Sequence, residues 1–394
     1  MVASIAARAG LRPVHNRAGA NLLTGIASAL VTQTDFLGHP RGDLGLFEVD
    51  EANLPAAVKA IHPRVVALTN VFRDQLDRYG EVDHVARTWQ DAVSLMGPDT
   101  TLVLNADDPV VAQLADGAPG PVVTFGMEHQ ALGGPGASHE ADRRLCPRCG
   151  QRLSYTWAYY GHVGHYACSS CAWKRPLPTW RLTDLRTTDA GHSEVILDAP
   201  EGQLQFTLPL PGAYNAANAL AAAAIGSAIG ASPDVIAPAL SGVSAVFGRQ
   251  EIMPIGAGSL TLTLVKNPTG FNQVLHTMAT GPRFTLIVVA INDLFADGTD
   301  VSWLWDVDFE LLAKQPLRIL CTGLRADDLA VRLKYSLVDA DRVQVDADLG
   351  RALARAVETA RHGEMVAVLP TYSAMLLLRR ELVRLGLAPP FWEA

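Results

Sequence analysis

The sequence predicts an α/β protein with a doubly wound parallel sheet in its first part and a second, separate α/β domain in its last third. Short β-branched runs alternate with longer amphipathic stretches in both parts, and strands that alternate with helices pair in parallel. The length of 394 residues also exceeds what one hydrophobic core usually organises. Residues 127–177 interrupt this alternation with a composition rich in Gly, His, Arg, Tyr and Cys, which predicts an inserted module.

Four apolar runs predict the strands of the first sheet. They are "LGLFEV", "RVVALTN", "TLVLNA" and "PVVTFG", with a helix between them at 82–95. Such runs are typical of strands that are covered on both faces. After the insertion, "RLTDLRTTDAGHSEVILDAPEGQLQFTLPLPG" alternates apolar and polar residues around turn signals at 189–191 and 200–202, which predicts antiparallel strands. A helix of small residues is predicted next in "AYNAANALAAAAIGSAIG".

A second alternation of strands and helices begins near residue 247. Its strands are predicted in "SLTLTLV", "RFTLIVVAI", "PLRILCTG", "DRVQVD" and "EMVAVLP", and its last helix at 374–385. We therefore place the domain boundary at about 246. The first domain would comprise residues 1–246 and the second residues 247–394.

The composition argues for a soluble protein with small-molecule or protein partners. A formal charge of -8 removes the broad attraction that nucleic acids and anionic membranes offer to a basic protein. The longest stretch of low polarity, residues 216–231, is too short to span a bilayer. Because no secretory signal is visible, we expect a cytoplasmic location, where paired cysteines hold metal more often than they form disulfides.

Four of the five cysteines follow the spacing of a structural metal site. Cys146 and Cys149 form "CPRC", and Cys168 and Cys171 form "CSSC" eighteen residues later. Two such pairs can surround one tetrahedral Zn²⁺ and leave no open coordination position. Two disulfides or a redox pair are alternatives, as is replacement of one cysteine by His162 or His165. Cys321, alone in "RILCTG", is predicted to be a small core residue.

Glu48 and Asn105 follow predicted strands of the first sheet, at the edge where doubly wound proteins bind ligands. The carboxylate of Glu48 suits Mg²⁺, which takes one or two protein oxygens and leaves its other positions to water and phosphate. Capping of the next helix by Glu48, Asp50 or Glu51 is an equally good interpretation. Asn105 matches the donor and acceptor edge of adenine, although Asn before a helix is usually a turn residue. The "DP" that follows matches a helix cap and first turn.

Taken together, these motifs resemble the Mur ligase family. "TNVFRDQLDRYGE", "LNADDP", "PGAYNAANALAA" and "FGR" occur in the order in which that family carries its central and C-terminal signatures. The chain is more similar to the MurT-like branch, the ligase-like subunits of lipid II isoglutaminyl synthase, through "HNRAGANLLTGIASAL", "FEVDEANLP", "LVKNPTGFN", "INDLFADGTDVSW" and the inserted four-cysteine ribbon. The resemblance covers essentially the whole chain and implies a Mur ligase central domain followed by a Rossmann-like C-terminal domain.

The resemblance implies an ATP-dependent amidation. The branch adds an amide to the α-carboxylate of D-glutamate in the stem peptide of lipid II. ATP first phosphorylates that carboxylate, and ammonia from a GatD-type glutaminase partner then attacks the acyl phosphate. Because water competes with ammonia for the activated acyl group, the second step needs a dry path. Lipid II or its peptide is the implied substrate, with at most peripheral contact with the membrane.

The resemblance also implies roles for individual residues. Glu48 would bind Mg²⁺, Asn105 would contact adenine, and Arg249 in "FGR" would contact the nucleotide. Lys266 in "LVKNP" would face the phosphates as a point charge suited to a developing oxyanion. Gln75 stands where other members of the family carry a metal-binding His, and we assign it no metal. A surface ion pair for Arg249 and a solvated strand end for Lys266 are the ordinary interpretations.

Asp300 in "DGTDVSW" carries the implied link to the partner. In the MurT-like branch this Asp reaches into the glutaminase active site and orients the His that activates the nucleophilic Cys. The alternative is a loop Asp that caps the segment after it.

The family begins with a strand, a Gly-rich loop with Lys and Thr, and a helix, and this loop cradles the ATP phosphates. No GxxGK(T/S) occurs in the 394 residues. "VASIAARAG" matches the end of the helix after such a loop, and "LRPVHNRAGANLL" the next strand and helix. We therefore expect the loop to precede Met1 in the functional protein and the printed chain alone to be inactive or feeble as a ligase. Supply of the loop by a second polypeptide, or its true loss, are the alternatives.

Two other functions fit part of the pattern. A relative that joins amino acids, such as a peptide-adding Mur ligase or folylpolyglutamate synthase, does not match the four-cysteine insertion or "DGTDVSW". A scaffold that binds and completes the glutaminase without ATP turnover follows if the phosphate loop is truly lost.

Overall fold

The computed structural model describes residues 1–16, 20–72, 82–135, 145–188, 192–243, 250–280 and 283–389. These residues form two compact units, an N-terminal unit that ends at Val243 and a C-terminal unit that begins at Gln250. The predicted boundary at 246 falls on residues 244–249, which lie outside the described residues. Each unit is an α/β assembly around its own apolar core, so the predicted fold class is confirmed.

The N-terminal unit contains the elements predicted for the first part of the chain and the inserted hairpin. Its helices are α1 (Val2–Arg8), α2 (Leu23–Thr32), α3 (Leu54–Ile61), α4 (Val82–Ser94), α5 (Pro109–Gln113), α6 (Ala213–Ala228) and α7 (Pro233–Ser241). Its strands are β1 (Pro13–His15), β2 (Leu44–Leu46), β3 (Val65–Leu68), β4 (Thr101–Asn105), β5 (Val122–Met127), β6 (Leu153–Tyr160), β7 (Val163–Cys168), β8 (Trp180–Thr187), β9 (Ser193–Ala199) and β10 (Gly202–Leu208). Short 3₁₀ turns occupy Glu51–Asn53, Leu114–Gly117 and Gln130–Leu132.

A six-stranded mixed sheet in the order β10-β9-β8-β5-β4-β3 forms the centre of this unit. β3, β4, β5 and β8 pair in parallel, whereas β8, β9 and β10 pair antiparallel, as predicted. One core lies between β3, β4 and the helices α3 and α4, and it includes Trp89, Leu102 and Leu104. The Ala-rich α6 packs against β4, β5 and β8, because its small residues allow a helix to approach a sheet closely.

β1 and β2 pair in parallel and form, within the described residues, a two-stranded sheet of their own. The prediction that "LGLFEV" belongs to the first large sheet is therefore wrong, because β2 pairs with β1 and, among the described strands, not with β3. α1 precedes β1 and α2 follows it, in the order that the opening residues predict. α1 packs against α6 and α7. Gly226 in α6 permits this contact, since a Cβ there would lie 3.0 Å from Cγ2 of the buried Ile5.

The insertion lies between β5 and β8, two neighbouring strands that run in parallel with Phe125 opposite Trp180. Its centre is the antiparallel hairpin of β6 and β7. Isolated bridges join Leu145 to Arg152 and Ala167 to Lys174, and they connect the hairpin to the two CxxC segments. We call residues 145–175 the ribbon.

The C-terminal unit is built on a second six-stranded sheet. Its strands are β11 (Glu251–Ile255), β12 (Gly258–Leu262), β13 (Leu286–Ala290), β14 (Arg318–Thr322), β15 (Val343–Val345) and β16 (Met365–Pro370). Its helices are α8 (Pro268–Thr280), α9 (Glu310–Ala313), α10 (Ala326–Tyr335), α11 (Leu349–Arg361) and α12 (Tyr372–Arg384). 3₁₀ turns occupy Ser302–Asp306 and Ala340–Arg342.

The strand order is β11-β12-β16-β13-β14-β15, and each pair is parallel except β11 with β12. The sequence did not predict β11, since Pro254 interrupts it; a proline is tolerated because this strand lies at the edge. Phe271 and Phe309 lie in one core of this unit, and Leu353 and Leu378 lie in another. Of the helices within the described ranges, none has both the length and the apolar character to cross a bilayer.

Candidate functional site

The four cysteines of the ribbon form a compact cluster of sulfur atoms. The Sγ atoms of Cys146, Cys149, Cys168 and Cys171 all lie within 4.8 Å of one another. Cys146 Sγ is 3.6 Å from Cys171 Sγ, and Cys149 Sγ is 3.5 Å from Cys168 Sγ. Four sulfurs bound at about 2.3 Å to a tetrahedral Zn²⁺ would be about 3.8 Å apart. The donor set and its spacing therefore fit a closed metal site.

The disulfide and histidine-ligand interpretations of these residues do not match the structure. All five cysteines are free thiols rather than disulfides. His162 Nε2 lies 3.1 Å from Asp108 Oδ2, and His165 Nε2 lies 3.0 Å from the Met127 carbonyl oxygen, so both rings have partners other than sulfur. Cys321 is buried in β14, as predicted, and burial raises the pKa of its thiol to about 12.

Each CxxC pair occupies a tight turn at one end of the hairpin. In the first turn the Gly150 N–H donates to the Cys146 carbonyl oxygen at 2.8 Å, with a φ of +73° at Gly150 that favours glycine. In the second turn the Cys168 N–H donates to the Trp173 carbonyl oxygen at 2.7 Å. The two turns thus bring local cysteine pairs together, and the hairpin brings the pairs to each other.

Backbone donors and burial separate the pKa values of the thiols. The Cys171 N–H, and then the Ser170 N–H, donate to the Cys168 sulfur and, against the opposing effect of burial, lower its pKa to about 6. The Gln151 N–H favours the thiolate of Cys149, but burial and hydrogen bonds with neighbouring thiols outweigh it and raise that pKa to about 12. Because the thiolate is the form that binds metal, the lowered pKa of Cys168 favours metal binding at this sulfur.

The turn after β4, which we call the NADD turn (residues 105–108), holds buried polar side chains. Asn105 Nδ2 donates to Asn70 Oδ1 at 2.8 Å, and Asn105 Oδ1 accepts the Asp107 N–H at 2.9 Å. Asp108 caps α5, since its Oδ1 accepts the Val110 N–H at 2.9 Å, which confirms the predicted cap. Both ends of the Asn105 amide are therefore used within the protein, and its contact with adenine stays a prediction.

The ribbon contacts the NADD turn directly. Asp107 Oδ1 accepts a hydrogen bond from Arg175 Nε at 2.6 Å; burial raises the pKa of this carboxyl group and the Arg175 charge opposes that shift. Asp108 Oδ2 makes the contact with His162 described above. The sequence did not predict either contact, because Asp107 and Arg175 are 68 positions apart and no local pattern joins them.

Glu48 lies two residues beyond β2, where the β1–β2 pair ends. Asn16 fixes its backbone: Asn16 Oδ1 accepts the Glu48 N–H at 3.0 Å, and Asn16 Nδ2 donates to the Glu48 carbonyl oxygen at 2.7 Å. The side chain of Glu48 is exposed. The cap of the following 3₁₀ turn is Asp50, whose Oδ1 accepts the Ala52 N–H at 3.2 Å. Capping therefore belongs to Asp50, and Glu48 stays the candidate for Mg²⁺.

Two predicted site residues lie in the C-terminal unit. Lys266 is exposed in the segment between β12 and α8. Asp300 is exposed after β13, and its Oδ1 accepts the Ser302 N–H at 2.8 Å, so it also caps the turn that follows. Arg249 and Gln75 lie outside the described residues.

Two family sequence models match the chain. The Mur ligase middle domain matches residues 31–226, and the MurT ligase C-terminal domain matches residues 264–375. Over 375 residues the chain is 33% identical to the lipid II isoglutaminyl synthase (glutamine-hydrolyzing) subunit MurT of Streptococcus pneumoniae (strain ATCC BAA-255 / R6), an alignment that covers 94% of this chain and 81% of that protein. The chain belongs to the MurT branch of the Mur ligase family.

Other relatives agree with this assignment. The chain is 31% identical over 378 residues to the MurT subunit of Staphylococcus aureus (strain COL), with the same coverage of 94% and 81%. The resemblance inferred from the motifs is therefore confirmed.

Solved structures share the fold of this chain at low sequence identity. A pseudomurein peptide ligase type C from Methanothermus fervidus has a TM-score of 0.74 at 21% identity and covers 98% of this chain and 75% of its own. Folylpolyglutamate synthase from Mycobacterium tuberculosis, complexed with ADP and AMPPCP, has a TM-score of 0.64 at 16% identity, covering 99% of this chain and 88% of its own. At these identities the likeness shows the Mur ligase fold alone.

Proposed function

We propose that this chain is the ligase subunit of a lipid II isoglutaminyl synthase. The enzyme would amidate the D-glutamate α-carboxylate of the peptidoglycan stem peptide, using ammonia from a GatD-type glutaminase. The similarity to MurT subunits, which runs over 94% of the chain, carries this proposal. The γ-phosphate of ATP is transferred to the carboxylate, giving an acyl phosphate and ADP. Ammonia then attacks the acyl carbon, the C–O bond to phosphate breaks, and an amide and inorganic phosphate result.

Exposed charged residues at strand ends support the nucleotide chemistry. Glu48 would hold Mg²⁺ with its exposed carboxylate, and a bound Mg²⁺ neutralises charge on transferring phosphate. Lys266 would contribute a point charge to the phosphates. Asn105 would contact adenine by exchanging one of its internal hydrogen bonds for the base, and Arg249 would add a further nucleotide contact.

The sulfur cluster supports a structural Zn²⁺ in the ribbon. The four thiol groups and the 3.5 Å and 3.6 Å separations between the two CxxC pairs match a closed Cys₄ site. Such a site supplies folding free energy rather than a place for substrate.

The surroundings of Asp300 support a protein partner. Asp300 is exposed, and Phe295 in the same loop is 84% exposed. Leu294 and Trp305 expose about half of their surface on either side. Exposed aromatic and apolar side chains beside a functional acid are typical of a protein interface. Asp300 would complete the glutaminase triad from this surface, with the complex in the cytoplasm and lipid II reached by peripheral membrane contact.

The experiment is to co-purify the chain with a GatD-type glutaminase and measure amidation of lipid II by mass spectrometry of the stem peptide. The printed 394 residues contain no GxxGK(T/S), so we expect them to support feeble amidation or none. A form of the protein that carries the Gly-rich phosphate loop should amidate lipid II and require ATP, Mg²⁺ and either glutamine or ammonium salt. Hydroxylamine should trap the acyl phosphate as a hydroxamate when the nitrogen source is withheld. Glutaminase activity that depends on the chain, without any ATP turnover, would instead establish the scaffold function.

A further inference from the structure

The ribbon and the NADD turn share a buried polar interface. The side chain of Arg175 is only 8% exposed, and besides Asp107 it binds the end of β5. Arg175 Nη2 donates to the Met127 carbonyl oxygen at 3.0 Å, and Nη1 donates to Glu128 Oε1 at 2.8 Å. Asp107 Oδ2 in turn accepts the Met127 N–H at 2.7 Å. One arginine of the ribbon thus joins the turn after β4 to the end of the neighbouring strand.

The tip of the hairpin contacts a second loop as well. His162 is fully buried, and the oxygen that it meets, Asp108 Oδ2, also accepts the Val71 N–H at 2.9 Å. The His162 ring centroid lies 5.1 Å from that of Phe72. Val71 and Phe72 belong to "TNVF", the start of another Mur ligase signature. The side chain of His162 therefore contacts both this segment and the NADD turn.

Hydrogen bonds to the backbone of the NADD turn complete the interface and link it to Asn105. The Gly164 N–H donates to the Asp107 carbonyl oxygen at 2.9 Å, and the Tyr166 hydroxyl donates to the Ala106 carbonyl oxygen at 3.1 Å. Because Asn105 Oδ1 accepts the Asp107 N–H, the groups that fix Asp107 also fix the amide of Asn105.

These contacts lie on the strand that leads to the cysteine cluster. Gly164 and Tyr166 lie in β7, which ends at Cys168. The apolar core that Tyr166 and Cys168 share is small, with Leu153 and Trp173 among its members. A module with so little apolar core depends on its metal for its fold.

We propose that the ribbon is a metal-dependent brace for the NADD turn, in which His162 and Arg175 are positioning residues that hold Asp108 and Asp107. Metal bound to the four cysteines keeps both side chains in place. The statement that the NADD turn binds an adenine nucleotide rests on the proposed function. The brace itself rests on the contacts alone.

Amide hydrogen exchange tests the brace without reference to catalysis. The variants are His162→Leu and Arg175→Met, with Arg152→Met as a matched control, because Arg152 is an exposed arginine of the same ribbon. We expect exchange at residues 105–111 to become about tenfold faster in both variants, the effect of losing one buried hydrogen bond. Chelation of the metal in the unmodified protein should accelerate the same peptide, and Arg152→Met should leave it unchanged. Acceleration confined to residues 145–175 after chelation would overturn the proposal.

Conservative variants separate positioning from a general loss of structure. Gln at position 162 retains an N–H donor, so His162→Gln should restore slow exchange at 105–111, whereas His162→Leu should not. In a complex with the glutaminase whose ligase subunit carries the Gly-rich phosphate loop, Arg175→Met should raise KM for ATP about tenfold and change kcat less than about twofold. A fall in kcat with unchanged KM would contradict the positioning role. If the unmodified complex that carries the loop does not amidate lipid II, the proposed function fails, while the exchange result still decides the brace.

Discussion

Arg332 donates to the Val307 carbonyl oxygen at 2.6 Å from inside the core of the C-terminal unit. The same guanidinium donates to the Leu304 carbonyl oxygen at 3.2 Å, and its carbon lies 5.6 Å from the centroid of the Trp305 ring. Arg332 thus ties α10 to the segment that directly follows Asp300. Asp300 therefore precedes a segment that buried hydrogen bonds from Arg332 hold in place.

Replacing Arg332 by methionine should lower the free energy of unfolding by about 3 kcal/mol, because the carbonyl groups of Leu304 and Val307 lose their buried donor. Urea denaturation followed by tryptophan fluorescence measures this change. Arg361→Met is the control, since its exposed ion pair with Glu358 contributes within about 0.5 kcal/mol. Equal stabilities for the two variants would show that the Arg332 contacts add nothing.

Asp300→Asn should reduce glutamine hydrolysis by the complex at least about a hundredfold while the two subunits still co-purify. An amide cannot stabilise the imidazolium that forms when the partner's nucleophile is activated. Steady-state glutaminase assays with the purified complex measure the effect. Asp327→Asn, which changes another exposed acid of the same unit, should be without effect. Full hydrolysis by the Asp300 variant would assign this residue to loop capping alone.

Metal analysis of the purified chain should find one zinc ion per molecule. Cys168→Ser and Cys149→Ser should each remove most of it, because each deletes one of four thiolate ligands. Cys321→Ala should retain the full content, since Cys321 lies in the core of the other unit. Retention of zinc in the Cys168 and Cys149 variants would place the ion elsewhere.

Asp43 should titrate well below an ordinary aspartate. Hydrogen bonds from the Arg12 side chain, and then from its backbone N–H, lower the Asp43 pKa to about 2. Because this pKa is lower in the folded than in the unfolded chain, the pair stabilises the fold above about pH 4, and that contribution is lost as the pH falls through about 2. Carbon NMR titration of the carboxyl group should show a midpoint near 2 in the parent. The midpoint should rise toward 3.8 in Arg12→Met. It should remain low in Arg8→Met, which removes the same charge from the exposed end of α1.

Local patterns account for much of what the sequence predicted. Apolar runs predicted the parallel strands of both six-stranded sheets, since burial on two faces leaves an apolar pattern. They wrongly placed "LGLFEV" in the first of these sheets, although β2 pairs with β1. β11 was not predicted because Pro254 interrupts its apolar pattern. A proline is tolerated there because β11 lies at the edge of its sheet. CxxC spacing predicted the cysteine cluster because each pair is brought together within one turn.

Contacts between distant segments could not be predicted in the same way. Asp107 and Arg175 meet only after β5 and the ribbon have folded, and His162 was considered only as an alternative metal ligand. Local reasoning also left the cap open among Glu48, Asp50 and Glu51, because the choice depends on which side chain turns back to the Ala52 N–H. The roles of Lys266 and Asp300 in chemistry stay predictions.

The parallel pairing of β5 with β8 requires a long connection between these two strands. A strand can reach a parallel neighbour only by a crossover of a dozen or more residues, and a helix usually makes that passage. Here residues 128–179 make it. Joining β5 to β8 through a tight turn would force β8 to run in the opposite direction, and β9 and β10 would reverse with it. Excising the whole connection of residues 128–179 would therefore differ from removing the metal, because this connection also lets β8 run parallel to β5.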